Sequence, residues 1–179
     1  DMFDHLKRQF KVHSIEKEYI AAVNGKVIPP QGVIEFALAR KGTRMVARPK
    51  GAEGKKAMTE YETIPWPSLR GAEGDAAISR GEEIAALPTV ARDDKYSLLR
   101  IHTHTGRTHQ IRVHLKAIDH PIVGDRLYGK EKPPLHLPLK KGEKEGVKRL
   151  MLHARKLAFK DLKGQQREFI CEPPAEFLF

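Results

Sequence analysis

From Leu98 the apolar positions alternate, so that Leu99, Ile101 and Thr103 fall on one face of an expected strand and Arg100, His102 and His104 on the other. Past Gly106 the period lengthens to that of a helix, with Ile111, Leu115 and Ile118 as its apolar stripe. The spacing therefore predicts a strand, a tight turn at Gly106, and a helix packed on the sheet. Thr105 or Thr108 is expected to cap the first N–H groups. His109, Arg112 and Lys116 share another side of the helix and form a cationic row directed away from the core.

The flanking pattern predicts the rest of an α+β domain with a mainly antiparallel sheet. Phe3, Leu6 and Phe10 suggest a short amphipathic helix with one face on the core. A strand from Glu16 to Asn24 places Lys17, Tyr19, Ala21 and Val23 on one face, and Gly25 ends it. Gly32 to Phe36 and Met58 to Ile64 are further strands. Between them, Arg40 to Lys56 is a basic stretch, suited either to a phosphate-tracking hairpin or to a solvated loop. Residues 66–94 look like an insertion at a hairpin tip, and 130–148 like a mobile basic loop. Arg149 to Phe159 and Arg167 to Cys171 close an antiparallel pair.

Length and charge narrow the class. A chain of 179 residues suits a single domain spanning 1–179. Its formal net charge of +10, spread along the chain, points to a polyanionic partner, with nucleic acid first. Cys171 is the only cysteine, which excludes an intrachain disulfide and fits a reducing, cytoplasmic setting. No apolar run is long enough to span a bilayer, so no membrane partner is expected. The chain opens on Asp1 rather than methionine, which suggests a piece of something longer.

Four stretches, in order, bring a family into view. They are Lys17-Glu18-Tyr19-Ile20-Ala21 with Gly25; Ala57-Met58-Thr59-Glu60-Tyr61; Gly106-Arg107-Thr108-His109-Gln110-Ile111-Arg112-Val113-His114 with His120-Pro121-Ile122 and Gly124-Asp125-Arg126-Leu127-Tyr128-Gly129; and Leu152-His153-Ala154. Together they resemble the RluA-type RNA pseudouridine synthases, and the resemblance covers most of the chain. It implies a mixed sheet with packed helices around an RNA cleft. It also implies isomerisation of uridines in rRNA or tRNA by an aspartate nucleophile, without metal or other cofactor, in a protein expected to be a monomer.

The family's nucleophile motif, His-Arg-Leu-Asp-x-x-Thr-Ser-Gly, is not in this sequence. Its place in the family falls before residue 1, and neither Asp1, Asp4 nor Asp125 has its flanking pattern. By resemblance, Arg112 pairs with that missing aspartate, which would leave it solvated in this chain alone, and Tyr19 lies against the target base. Arg107, His109, Lys116, Arg100, Arg44 and Arg48 are the candidate RNA contacts. Two rivals remain: a non-catalytic RNA-binding remnant of a synthase, and a metal hydrolase built on His102 and His104, whose spacing on one strand face could chelate an ion.

Overall fold

The computed structural model describes residues 1–49, 51–65, 95–129, 149–174 and 177. The insertion expected at 66–94 and the basic loop expected at 130–148 lie outside the described residues. The elements run α1 (Met2–Lys11), β1 (Glu16–Asn24), β2 (Gln31–Lys41), β3 (Arg44–Arg48), β4 (Lys55–Ile64), β5 (Tyr96–Thr103), α2 (Gln110–Ala117), β6 (Leu152–Lys160) and β7 (Gln166–Ile170). The strands form one sheet in the order β3-β2-β4-β5-β1-β6-β7, and each neighbouring pair is antiparallel.

The basic stretch from Arg40 resolves into a hairpin, because Lys41 pairs with Arg44 and β2 continues well beyond Phe36. β1 lies centrally, with β5 on one side and β6 on the other. Ile20, Ala21, Ala22 and Val23 are consequently all buried, although their side chains alternate between faces.

One face of the sheet sets the geometry of the functional residues. Register places Tyr19 opposite Ile101, Ile101 opposite Tyr61, and Tyr61 opposite Gly32. By alternation, Lys17, Thr103, Thr59, Ile34, Leu38 and Arg40 share that face. α2 packs over its β2–β3–β4 end. Ile111, Val113 and Leu115 are buried there, as are Gln110 and His114. His114 is fully enclosed, its ring edge-on to Phe36 at 6.2 Å, and burial pushes its pKa down to about 4, with the Phe36 backbone opposing the shift weakly. It is therefore neutral near pH 7 and serves as a packing residue.

α1 departs from expectation. It forms where the pattern predicts, with the Asp1 side chain accepting from the Asp4 N–H, but none of its residues is buried. Phe3 is 70% exposed and Phe10 50%. Polar bonds hold the helix instead: the Gln9 side-chain amide donates to the Lys160 carbonyl at 2.7 Å, and the Lys160 N–H donates back to Gln9 at 3.0 Å.

Candidate RNA cleft and catalytic residues

The turn between β5 and α2 is held by Gln110. Its amide nitrogen donates to the Met58 carbonyl (2.8 Å) and the Thr59 hydroxyl (3.0 Å). Its oxygen accepts from the Thr105 hydroxyl (2.7 Å) and the Arg107 N–H (3.0 Å). Thr105 also accepts the Met58 N–H at 3.1 Å. All four donor and acceptor sites of a 4% exposed amide thus bind the turn to β4. Neither Thr105 nor Thr108 caps the helix; the N-cap is His109, which makes no side-chain capping bond and sits in the left-handed region at φ 55°.

His109 is oriented by Tyr128, whose hydroxyl lies 2.8 Å from His109 Nδ1 and accepts the Met45 N–H at 3.1 Å. The phenol proton can be given to Nδ1, since the Met45 N–H occupies only an acceptor site of the same oxygen. One tyrosine hydroxyl therefore joins the α2 turn to the β2–β3 hairpin. Between the turn and the hairpin opens a cleft of about 1270 Å³, with Arg40, Arg48, Lys55, Arg107 and His109 on its walls and Glu53 as its acidic residue. Arg107 is braced by donating from Nε to the Lys56 carbonyl at 3.2 Å.

The structure brings Arg48, Arg107 and His109 together, and adds Arg40 and Lys55. Arg44, at the start of β3, and Lys116, on α2, are exposed but do not line this cleft. Arg100 is ion-paired on the opposite face of the sheet. Its Nη1 donates to Glu62 at 2.6 Å, and its Nε lies 3.9 Å from Glu18. His102 faces Glu18 at 3.7 Å and His104 faces Glu60 at 2.9 Å. The strand face that looks basic in β5 alone is a ladder of opposite charges once β1 and β4 flank it. His102 and His104 also face different glutamates, and among the described residues no group of three or more potential ligands is placed to hold a metal.

Arg112 is not merely solvated, because its Nε and Nη2 donate to the two oxygens of Asp125, each at 2.8 Å, and its guanidinium lies over the Tyr128 ring at 4.9 Å. The Asp125 side chain is 0% exposed and that of Arg112 19%. Burial alone would raise the Asp125 pKa, but the Arg112 fork and the Tyr128 and Leu127 amides hold it below the ordinary carboxylate value. Asp125 lacks the flanking pattern of the nucleophile, and its role as the anchor of Arg112 has no signal in the local sequence. The pairing occupies one edge of the guanidinium and leaves Nη1 for a further partner.

Tyr19 lies apart from the cleft, on the same sheet face, half-buried in the wall of a smaller cavity. Burial raises its hydroxyl pKa, while the Thr103 side chain opposes the rise by hydrogen bonding.

The family described as RNA pseudouridylate synthase matches residues 1–117. The chain belongs to this family. It is 35% identical over 165 residues to the tRNA pseudouridine synthase C of Haemophilus ducreyi, covering 90% of this chain and 59% of that protein. It is 33% identical over 172 residues to an uncharacterized RNA pseudouridine synthase of Mycobacterium tuberculosis, covering 96% of this chain and 45% of that one. The solved structure of human RNA pseudouridylate synthase domain containing 1 superposes with a TM-score of 0.63 at 25% identity, over 94% of this chain and 58% of the human one. This member of the synthase family thus spans about half the length of these relatives.

Proposed function

We propose that this chain is the RNA-gripping and base-positioning part of a synthase that isomerises uridine to pseudouridine. The observation that carries the reading is the cleft at the Gly106–His109 turn, where the family's own signature residues meet cations from a separate hairpin. In this reading Arg40, Arg48, Lys55 and Arg107 hold phosphates, and Tyr19 offers its ring to the target base. Arg112, anchored by Asp125, turns its remaining Nη1 toward the nucleophilic aspartate that the resemblance implies. tRNA is the favoured substrate, since one of the relatives above is named for it, with rRNA the alternative. We take the setting to be cytoplasmic and the protein to act as a monomer without cofactor.

The test is tritium release from carbon-5-labelled uridine in bulk tRNA. The chain alone should give no turnover, and the chain joined to a segment bearing the family's Arg-Leu-Asp motif should give it. Turnover by residues 1–179 alone would overturn the assignment of the nucleophile. Failure of both would favour the RNA-binding remnant.

Binding tests the cleft separately. With four cations on phosphates, log affinity for single-stranded RNA should fall with log salt at a slope of about −3, and Arg107→Ala should make that slope shallower by about 0.7. A filter-binding titration with a slope near zero would remove RNA from the cleft.

A further inference from the structure

The cleft between the hairpin and the α2 turn holds one side chain that a phosphate grip does not use. Glu53 lies on its wall with Arg40, Arg48, Lys55 and Arg107, and among the described residues no cation is paired with its carboxylate. The connection from β3 to β4 fixes it there. The Ala52 N–H donates to the Pro49 carbonyl at 3.0 Å, and Gly54, at φ 155°, is pressed against β2. A Cβ on Gly54 would meet the Ala37 Cβ and the Leu38 carbonyl oxygen at 3.1 Å, so the close approach that seats Glu53 on the cleft requires glycine.

A phosphodiester set against Glu53 would be repelled by it while the neighbouring cations attract. The part of a strand that lies there must instead offer hydrogen-bond donors, because an ionised carboxylate only accepts. RNA has two kinds of donor, base N–H groups and the ribose 2′-hydroxyl. The lining favours a base, since Leu38, Ala39, Met45 and Ala52 give the same cleft an apolar surface for a flat ring.

The bases differ in what they bring to a carboxylate. Guanine alone has two adjacent donors on its Watson–Crick edge, N1–H and N2–H, which match the two carboxylate oxygens. Beside them it carries O6, an acceptor suited to the cations of the same wall. Adenine puts an amino group where guanine has O6 and so turns a donor toward those cations. Uracil and cytosine each offer a single donor group.

We propose that Glu53 is a specificity-determining residue that reads one unpaired guanine of the RNA, its carboxylate accepting from N1–H and N2–H. The proposal rests on the reading of this cleft as the RNA site and names the base that the site selects. The phosphates on either side remain with the four cations.

The test is fluorescence anisotropy with the chain and labelled hexaribonucleotides: UUGUUU, UUAUUU, UUCUUU, the inosine form UUIUUU, and UUUUUU. At one salt concentration the guanine hexamer should bind about tenfold more tightly than the adenine one. Inosine, which keeps N1–H and lacks the N2 amino group, should fall between them. Glu53→Gln should abolish the preference and bind UUUUUU more tightly, since a negative charge has left the cleft. The Glu53 side chain is exposed, so the variant should melt with the wild type. Equal binding of the guanine and adenine hexamers, with a steep salt dependence retained, would overturn the proposal and leave the proposed function standing. A guanine preference that survives Glu53→Gln, or a preference for cytosine, would overturn it as well. Rejection of 2′-deoxy hexamers that is lost in Glu53→Gln, without a choice among bases, would make the ribose hydroxyl the ligand and overturn it too. A salt slope near zero for every hexamer would remove RNA from the cleft, and the proposal would fall with that reading.

Discussion

Replacing Arg112 with methionine should cost this chain about 3–5 kcal/mol of stability, the typical penalty for stranding one partner of a buried ion pair. The sequence alone suggests the opposite, a solvated arginine whose loss is harmless. The stranded group is Asp125, whose side chain is fully buried and keeps only the Leu127 and Tyr128 amides as donors once the guanidinium is gone. Tyr128 would also lose the cation over its ring, and with it part of the support for His109. Urea denaturation at pH 7 measures the loss.

The pH dependence carries the sign. Asp125 has a depressed folded pKa, so its contribution is present above the unfolded value of about 3.9 and is lost as pH falls through the folded value. Without Arg112, desolvation raises that pKa, and protonation relieves the variant at milder acidity. The gap between wild type and variant should therefore shrink steadily from pH 7 toward pH 3. A second substitution, Asp125→Leu in the Arg112→Met background, removes the stranded charge and should recover much of the loss. A loss below about 1 kcal/mol, or one that does not change with pH, would mean that the pair contributes little beyond local packing.

Gln110→Leu should have the second-largest effect. Leucine keeps the volume but leaves the Met58 carbonyl, the Thr59 and Thr105 hydroxyls and the Arg107 N–H without their shared partner. Unsatisfied buried groups cost about 1–3 kcal/mol each, and relaxation at the partly exposed Arg107 would recover some, so a net loss of about 2–4 kcal/mol is expected. RNA affinity should fall together with stability, because the turn that carries Arg107 and His109 would no longer be tied to β4. The salt slope should change less than in Arg107→Ala, since no cation is removed. Unchanged RNA affinity in a folded Gln110→Leu chain would show that the cleft does not depend on this tether.

The elements whose information is local were legible in the sequence. The alternation of β5, the turn at Gly106 and the stripe of Ile111, Leu115 and Ile118 are set by neighbours within a few residues. What depends on residues distant in sequence was not legible. Arg100 looks free until Glu18 and Glu62 arrive from strands far away in the chain. Arg112 finds Asp125 across the loop that follows α2. α1 carries the right period, yet the sheet offers it hydrogen-bonding groups at Lys160 rather than an apolar bed. Gln110 gave one hint, a long amide on the side of the helix that turns inward, where an apolar residue would be ordinary.

The ladder of opposite charges on the far face of β5 has a kinetic consequence. A polyanion approaching that side meets Glu18, Glu60 and Glu62 set against Arg100 and Arg155. One approaching the α2 side meets Arg40, Arg48, Lys55 and Arg107 around a single glutamate. Among the described residues the two sides therefore differ in charge, and that difference would exert a torque on an incoming strand before any contact is made. Encounters would begin already turned toward the cleft, so fewer collisions would be spent in rotational search.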